Sequence, residues 1–288
     1  MGAALTARML FTRSDARRCT DVKPSRAIMP FLMPTRTEST VQFEQQLDLT
    51  KTQAFIDAWN ARHPERKVTV FHLFLSAAAH AFVEWPNLNR FVSGGRLWQR
   101  DGVYVSFAAK KKLANGSPLV VLKRRVDTVT SFEQLVDLTH ADVKAGRRET
   151  KSSQDQELDL LTLLPPFLLG LAVGLARLLD RWNLLPRRFI EHDPLYTSLF
   201  VANLGSVGLE SAYHHLFEYG NCPFFAALGR TKTVVTPEGP RLVCTVKYTF
   251  DERIEDGLYC AHALESLKAR VENPQSLVMA DAPMAEAA

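Results

Sequence analysis

At 288 residues the chain has room for one large domain or two modest ones, with a substantial core. Apolar residues make up 46% and charged residues 23%, the balance of an ordinary globular protein. A net charge of +4 is too small to argue for a nucleic-acid partner without a clustered basic face, and none is expected. The basic runs are short: Lys110 to Lys112, Lys123 to Arg125, and Arg147 with Arg148. Each fits a solvated loop or strand end.

The N-terminal stretch is arginine-rich but lacks the apolar core of a secretion signal, and Asp15 and Asp21 interrupt its charge. Residues 1–27 are therefore expected to form a disordered basic tail, and 278–288 a loose C-terminal tail. Cys19, Cys222, Cys244 and Cys260 show no CxxC spacing, and the eight histidines show no HExxH grouping. No metal is expected, and the thiols fit a reducing, cytoplasmic compartment.

In chain order, "VQFEQQLDL" (41–49) alternates as a strand, and a helix follows that Asp48 or Thr50 can cap. "VTVFHLFLSAAAHAFVEW" is an almost wholly apolar helix and belongs in the core, with His72 and His80 tucked into it. Beyond Pro86, residues 88–109 read as two strands with turns at Gly94-Gly95 and Asp101-Gly102. "SPLVVLKR" is a further strand. "SFEQLVDLTHADVKAGRR" is an amphipathic helix with Ser131 as its cap and Gln134 placed to reach back. Three later runs, "TSLFVANLG", "PFFAALGRTKTVV" and "RLVCTVKYTF", have strand character, with a turn at "TPEGP". The mixture predicts one layered α/β domain.

Residues 160–176, "LLTLLPPFLLGLAVGLA", carry no charge. The Pro165-Pro166 pair interrupts this stretch, so a simple transmembrane helix is disfavoured. The reading taken is a helix packed in the core or against a neighbouring subunit. The alternative is an exposed apolar helix that docks on a membrane surface or a partner through residues 160–185, because "RWNLLPRR" supplies a tryptophan and arginines beside it.

"FDERIEDG" (250–257) closes the strand-like part of the chain with four acids, Asp251, Glu252, Glu255 and Asp256. The order "SLFVANLGSVG", an apolar strand ending in "AALGRTKTV", then "VKYTFDERIEDG" and a helix resembles the end of a known catalytic domain. That domain is the core of the 2-oxo acid dehydrogenase acyltransferases, the dihydrolipoamide acyltransferase components, and chloramphenicol acetyltransferase shares its fold. The similarity extends upstream through "PNLNRF", "GVYVSFAA" and "SPLVVLKR", over about residues 28–277. It implies a two-layer α/β sandwich, a mixed sheet covered by helices.

The resemblance also implies site residues. In the family a histidine is followed by three residues and then Asp-Gly, and it acts as general base on the thiol of coenzyme A or on the acyl acceptor. Here Asp256 and Gly257 match, but the histidine position holds Glu252. A serine or threonine before "NLG", which stabilises the tetrahedral oxyanion in the family, is Ala202 here, and alanine has no donor. A carboxylate with an ordinary pKa of about 4.3 is a weak base for a thiol unless burial raises it. The candidate catalytic set is Glu252, Asp256 and Asn203, the last as a substitute donor. His214, His215 and His72 are alternative bases, and Gly205, Arg253 and Gly257 frame the motifs.

Two functions follow from the resemblance. One is a stand-alone acyltransferase that takes acyl-CoA, with an altered mechanism; coenzyme A is then the expected cofactor. The other is an inactive scaffold of the same fold. Only residues 1–27 precede the matching region, so no lipoyl domain is expected. Family members are trimers with active sites between subunits, and some build cages, so a homotrimer or larger cage is the expected assembly. The expected location is cytoplasmic, with peripheral membrane attachment through residues 160–185 as a variant.

Overall fold

The structure is a computed structural model, and it describes residues 12–110, 119–127, 129, 131–147 and 163–279. The first third holds β1 (Ala16–Arg18), α1 (Pro24–Ala27), α2 (Met29–Leu32), β2 (Thr40–Asp48), α3 (Thr50–Arg62) and α4 (Val70–Glu84). A 3₁₀ turn (Pro86–Asn89) leads to β3 (Arg90–Ser93), β4 (Arg96–Arg100), β5 (Tyr104–Lys110), β6 (Leu119–Arg125) and α5 (Phe132–Gly146). Then come α6 (Pro166–Arg181), α7 (Arg187–His192), β7 (Leu199–Asn203), β8 (Phe224–Thr236), β9 (Gly239–Asp251), α8 (Gly257–Glu272) and α9 (Gln275–Met279).

The main sheet has six strands in the order β2-β9-β8-β7-β5-β6. β7 runs parallel to both its neighbours and every other pair is antiparallel, so the sheet is mixed, as the resemblance implies. Strand residues alternate between its two faces. Phe224, Ala226 and Leu228 of β8, with Val246, Tyr248 and Phe250 of β9, share the main core with α4 and α8. Phe200, Phe225 and Ala227 belong to a second, smaller cluster, which Leu216 and Cys222 of the 204–223 segment join.

α4 is the centre of the main core, with ten of its fifteen residues buried. Its start is fixed by a reciprocal capping box: the Thr69 N–H donates to His72 Nδ1 (3.2 Å), and the Thr69 side chain caps the His72 backbone. Ser131 caps α5 as expected, its Oγ accepting from the Gln134 N–H at 3.1 Å. Two turns between residues 88 and 109 delimit three strands rather than two, because Gly94, Gly95 and Gly102 all adopt positive φ and reverse the chain twice.

The second sheet, β1-β4-β3, corrects the expectation of a tail over residues 12–27. β1 pairs with β4 in register, Ala16 opposite Arg100. Arg13 is buried beneath it: Nε donates to Asp15 (2.8 Å) and Nη2 to Asp180 (2.8 Å), and the guanidinium lies over Phe91. A buried cation held by two carboxylates and a ring ties the start of the chain to the end of α6.

α6 corrects the core-packed reading of the apolar segment. Pro166 opens the helix at its first position, where a missing N–H costs nothing, instead of breaking it. Asp180 is its one buried residue, and Phe167, Leu171 and Leu175 face solvent. No described helix is long and apolar enough to cross a membrane. Residues 160–162 lie outside the described residues.

Candidate functional site

β9 ends at Asp251, so the acidic motif becomes a tight turn between that strand and α8. Two of its charged residues are locked inside. Arg253 forms a two-pronged pair with Asp251, Nε to Oδ1 at 2.8 Å and Nη2 to Oδ2 at 2.7 Å, both side chains fully buried. Arg253 Nη1 also donates to the Met33 carbonyl at 2.8 Å, which holds the segment after α2 over the turn. Glu255 accepts from Asn87 Nδ2 (2.7 Å) and Arg90 Nη1 (3.1 Å). Asp256 caps α8, its Oδ1 accepting from the Tyr259 N–H at 2.9 Å. Asp256, one of the candidate catalytic residues, thus serves as a helix cap in this chain. Gly257 has ordinary φ, and a side chain there would meet nothing within 4 Å, so no contact within this chain requires a glycine.

Glu252 differs from its neighbours. Its N–H donates to the Ser39 carbonyl (2.9 Å) and its own carbonyl accepts from Arg26 Nη1, so the backbone is held on both sides. The half-buried carboxylate has no hydrogen-bond or ion-pair partner among the described residues. The turn thus fixes the backbone of Glu252 and leaves its carboxylate unused.

The "ANLG" residues end β7. Ala202 packs beside the second-face cluster. Asn203 caps the 3₁₀ turn Leu204–Val207, its Oδ1 accepting from the Ser206 N–H at 3.2 Å. Gly205 is sterically required: a Cβ there would lie 2.5 Å from the Gly229 carbonyl oxygen of β8. Register places this site far from Glu252. Asn203 is opposite Leu228, and Leu228 is opposite Val246, six residues before Glu252 and across two strand spacings. At about 3.3 Å per residue and 4.8 Å per strand, the two ends lie roughly 20 Å apart in one chain.

The histidines are also separate. His72 is thirteen residues before Trp85, the end of α4 that touches Tyr259 of α8, so it stands about 20 Å from the turn. Burial, reinforced by the stacked His140, lowers its pKa to about 4. His214 stacks flat on Phe225 (3.9 Å between ring centroids), and Phe225 is in register with Thr249, three residues before Glu252. Burial lowers the His214 pKa as well. The exposed His215 stacks on His214. Of the three candidate bases His214 is therefore the one that register brings nearest the turn, and no hydrogen bond joins it to Glu252.

Sequence reading passed over the Asp251–Arg253 pair and the Arg26 and Arg90 contacts. A lone arginine inside an acidic run was the available signal for the first. Lys123 is a further perturbed group: burial lowers its pKa to about 7, and its Nζ donates to the Ile190 and Asp193 carbonyls at 2.7 and 3.1 Å. It secures the end of α7.

The fold has close relatives in shape. The dihydrolipoamide acetyltransferase of Azotobacter vinelandii, in whose catalytic mechanism a serine, a histidine and an asparagine have a role, superimposes with a TM-score of 0.60. It is 17% identical, and the match covers 88% of each chain. A truncated catalytic core of the 2-oxoacid dehydrogenase complex of Thermoplasma acidophilum gives a TM-score of 0.58 at 15% identity, over 90% of this chain and 99% of that one. A chloramphenicol acetyltransferase gives 0.57 at 12% identity, over 90% and 98%. No protein-family model matches the sequence, and no curated protein sequence matches it. The resemblance seen in the motifs is thus a resemblance of fold, shared with acyltransferase cores.

Proposed function

We propose that this chain is an acyltransferase-fold protein that takes acyl-CoA and uses Glu252 as its general base, at a site completed by a second copy. The observation that carries this is the difference inside one turn. Asp251, Arg253, Glu255 and Asp256 are all occupied by buried pairs, side-chain contacts or a helix cap, whereas Glu252 is positioned and left without a partner. A fold that has no use for this carboxylate structurally still holds its backbone on both sides.

In the step proposed, Glu252 takes the proton of the acceptor as the acceptor attacks the thioester carbonyl. The C–S bond breaks, coenzyme A leaves as thiolate, and the protonated Glu252 returns the proton to it. Asn203 supports oxyanion stabilisation, since its Oδ1 serves the 3₁₀ turn while its Nδ2 has no partner among the described residues. The separation of roughly 20 Å between Asn203 and Glu252 means that they meet only across two chains. This supports a homotrimer or larger cage, and light scattering should return a multiple of the 32.3 kDa chain mass. The chemistry needs no metal.

Ala202 favours a second reading, a scaffold that keeps the fold and has lost the reaction, because no hydroxyl stands before "NLG". One experiment separates the two. Titration calorimetry with a panel of acyl-CoAs should show binding, and a free-thiol assay should show slow release of coenzyme A. Glu252→Gln should abolish that release without changing the assembly. Absence of binding across the panel overturns the enzyme reading and leaves the scaffold.

A further inference from the structure

α6 is a helix whose uncovered surface is apolar. Its half-buried positions, Leu169, Ala172, Ala176 and Leu179, recur at helical spacing and form one narrow stripe toward the protein. Nearly all the rest of its circumference is bare: Phe167 is 73% exposed, Leu171 66% and Leu175 52%. A side chain at Gly170 or Gly174 would meet nothing within 4 Å. Leu163, just before the helix, is 80% exposed.

The exposed charges of α6 have one sign, and the exposed acid of neighbouring α7, Glu191, is paired with Arg187 at 2.7 Å. The single acid of α6, Asp180, is buried against Arg13 and Ser93 (2.8 and 3.0 Å). Arg177 and Arg181 in the last turns and Arg188 of α7 are exposed, and their guanidinium groups have no hydrogen-bond or ion-pair partner among the described residues. Trp182 and Phe189, both partly exposed, lie among these arginines. The helix therefore passes from a purely apolar start to a cationic, aromatic end.

The bare surface also continues past the helix. The Gly94-Gly95 turn lies between two elements: the Arg181 carbonyl would be 2.5 Å from a Cβ at Gly94, and the Phe31 ring 3.4 Å from one at Gly95. Phe31 and Leu32 of α2 are themselves exposed, so the apolar surface reaches the segment that Arg253 holds over the acidic turn.

We propose that α6 seats the protein on an anionic lipid bilayer, its first turns among the acyl chains and its Arg177, Arg181, Arg188 and Trp182 end at the headgroups. The occupant follows from shape and charge. A rigid protein partner covers one side of a helix, whereas acyl chains close around most of it. Cations beside an apolar helix, with no exposed acid on it, complement phosphate and carboxylate headgroups. Sixteen residues at 1.5 Å each give a length of about 24 Å, short of the roughly 30 Å hydrocarbon layer, so the helix lies in the interface. The proposal stands apart from the chemistry of Glu252.

The test uses the full chain and density-gradient flotation. The protein should float with mixed phosphatidylcholine–phosphatidylserine vesicles, bind pure phosphatidylcholine vesicles less, and detach partly as salt is raised. Leu171→Asp with Leu175→Asp should lower the partition coefficient by about a hundred-fold, with the thermal midpoint unchanged because both sites are exposed. Arg181→Gln with Arg188→Gln should cost about thirty-fold on the anionic vesicles and little on neutral ones. Failure to float with anionic vesicles overturns the proposal. So does conversion of a vesicle-free oligomer to monomers by the double aspartate variant, which would assign the face to a second copy.

Discussion

α4 and α6 run fifteen and sixteen residues, and neither carries an acid or a basic Lys or Arg through its first eleven positions. Ten residues of α4 are buried and one of α6 is. Composition therefore does not decide burial; the neighbours do. α4 is laid across the apolar face of β8 and β9 and closed in by α8, so nearly every side chain has a partner. α6 meets the body of the protein along one stripe, and its firm attachment is polar: Asp180 held by Arg13 and Ser93. An apolar helix fixed by a charge at one end leaves its hydrophobic surface for something else to cover.

The contrast breaks most visibly in the core. Phe74 of α4 is fully buried, and Phe74→Ala removes a ring from a packed site, which should cost about 3–5 kcal/mol. Urea denaturation should show this as a lower midpoint at an unchanged slope. A cost below about 1 kcal/mol would mean that the α4 core is loose, and the comparison with α6 would lose its meaning.

How far the sequence carried this distinction depends on the kind of contact. Alternation in β2, the strand character of β8 and β9, the Ser131 cap and the order of "ANLG" and "DERIEDG" are local patterns, and each became the element or turn it implied. The exposure of α6 is not local, since an uncharged run looks the same whether protein or lipid covers it. The Arg13–Asp180 pair joins residues far apart in the chain through side chains, and no periodicity announces it. For the candidate site, Glu252 and Ala202 were legible as departures from a motif. Their neighbours' roles were not, because a cap at Asp256 and a buried pair at Arg253 are properties of three-dimensional geometry. The gap between Asn203 and Glu252 needed strand register.

His72 sharpens the comparison at the entrance of α4. Its folded pKa of about 4 lies below the ordinary value of about 6.5, so the unfolded chain binds more protons between those limits. The stability from keeping this ring neutral is whole above about pH 6.5 and is lost as pH falls toward 4. The full shift corresponds to roughly 3 kcal/mol. His72→Gln keeps a capping-box acceptor for Thr69 and removes the titration. Its stability near pH 7 should stay within about 1 kcal/mol of the parent, while its pH 4–6.5 slope should flatten. An unchanged acid slope would place the sensitivity elsewhere, and a loss of thiol release in this variant would return His72 to the candidate bases.

The smallest expected effect is the one that tests α6 itself. Leu171 is largely exposed, so Leu171→Ala removes few contacts and substitutes a better helix former. In vesicle-free solution its unfolding free energy from urea denaturation should change by no more than about 0.5 kcal/mol, against the several expected for Phe74→Ala. Two helices that both begin with eleven uncharged positions would then differ nearly tenfold in what one side chain is worth. A loss of 2 kcal/mol or more at Leu171 would show that protein already covers the helix in solution. If that loss grew as the protein was diluted, the cover would be another copy of the chain, since only a bound partner's contribution depends on concentration.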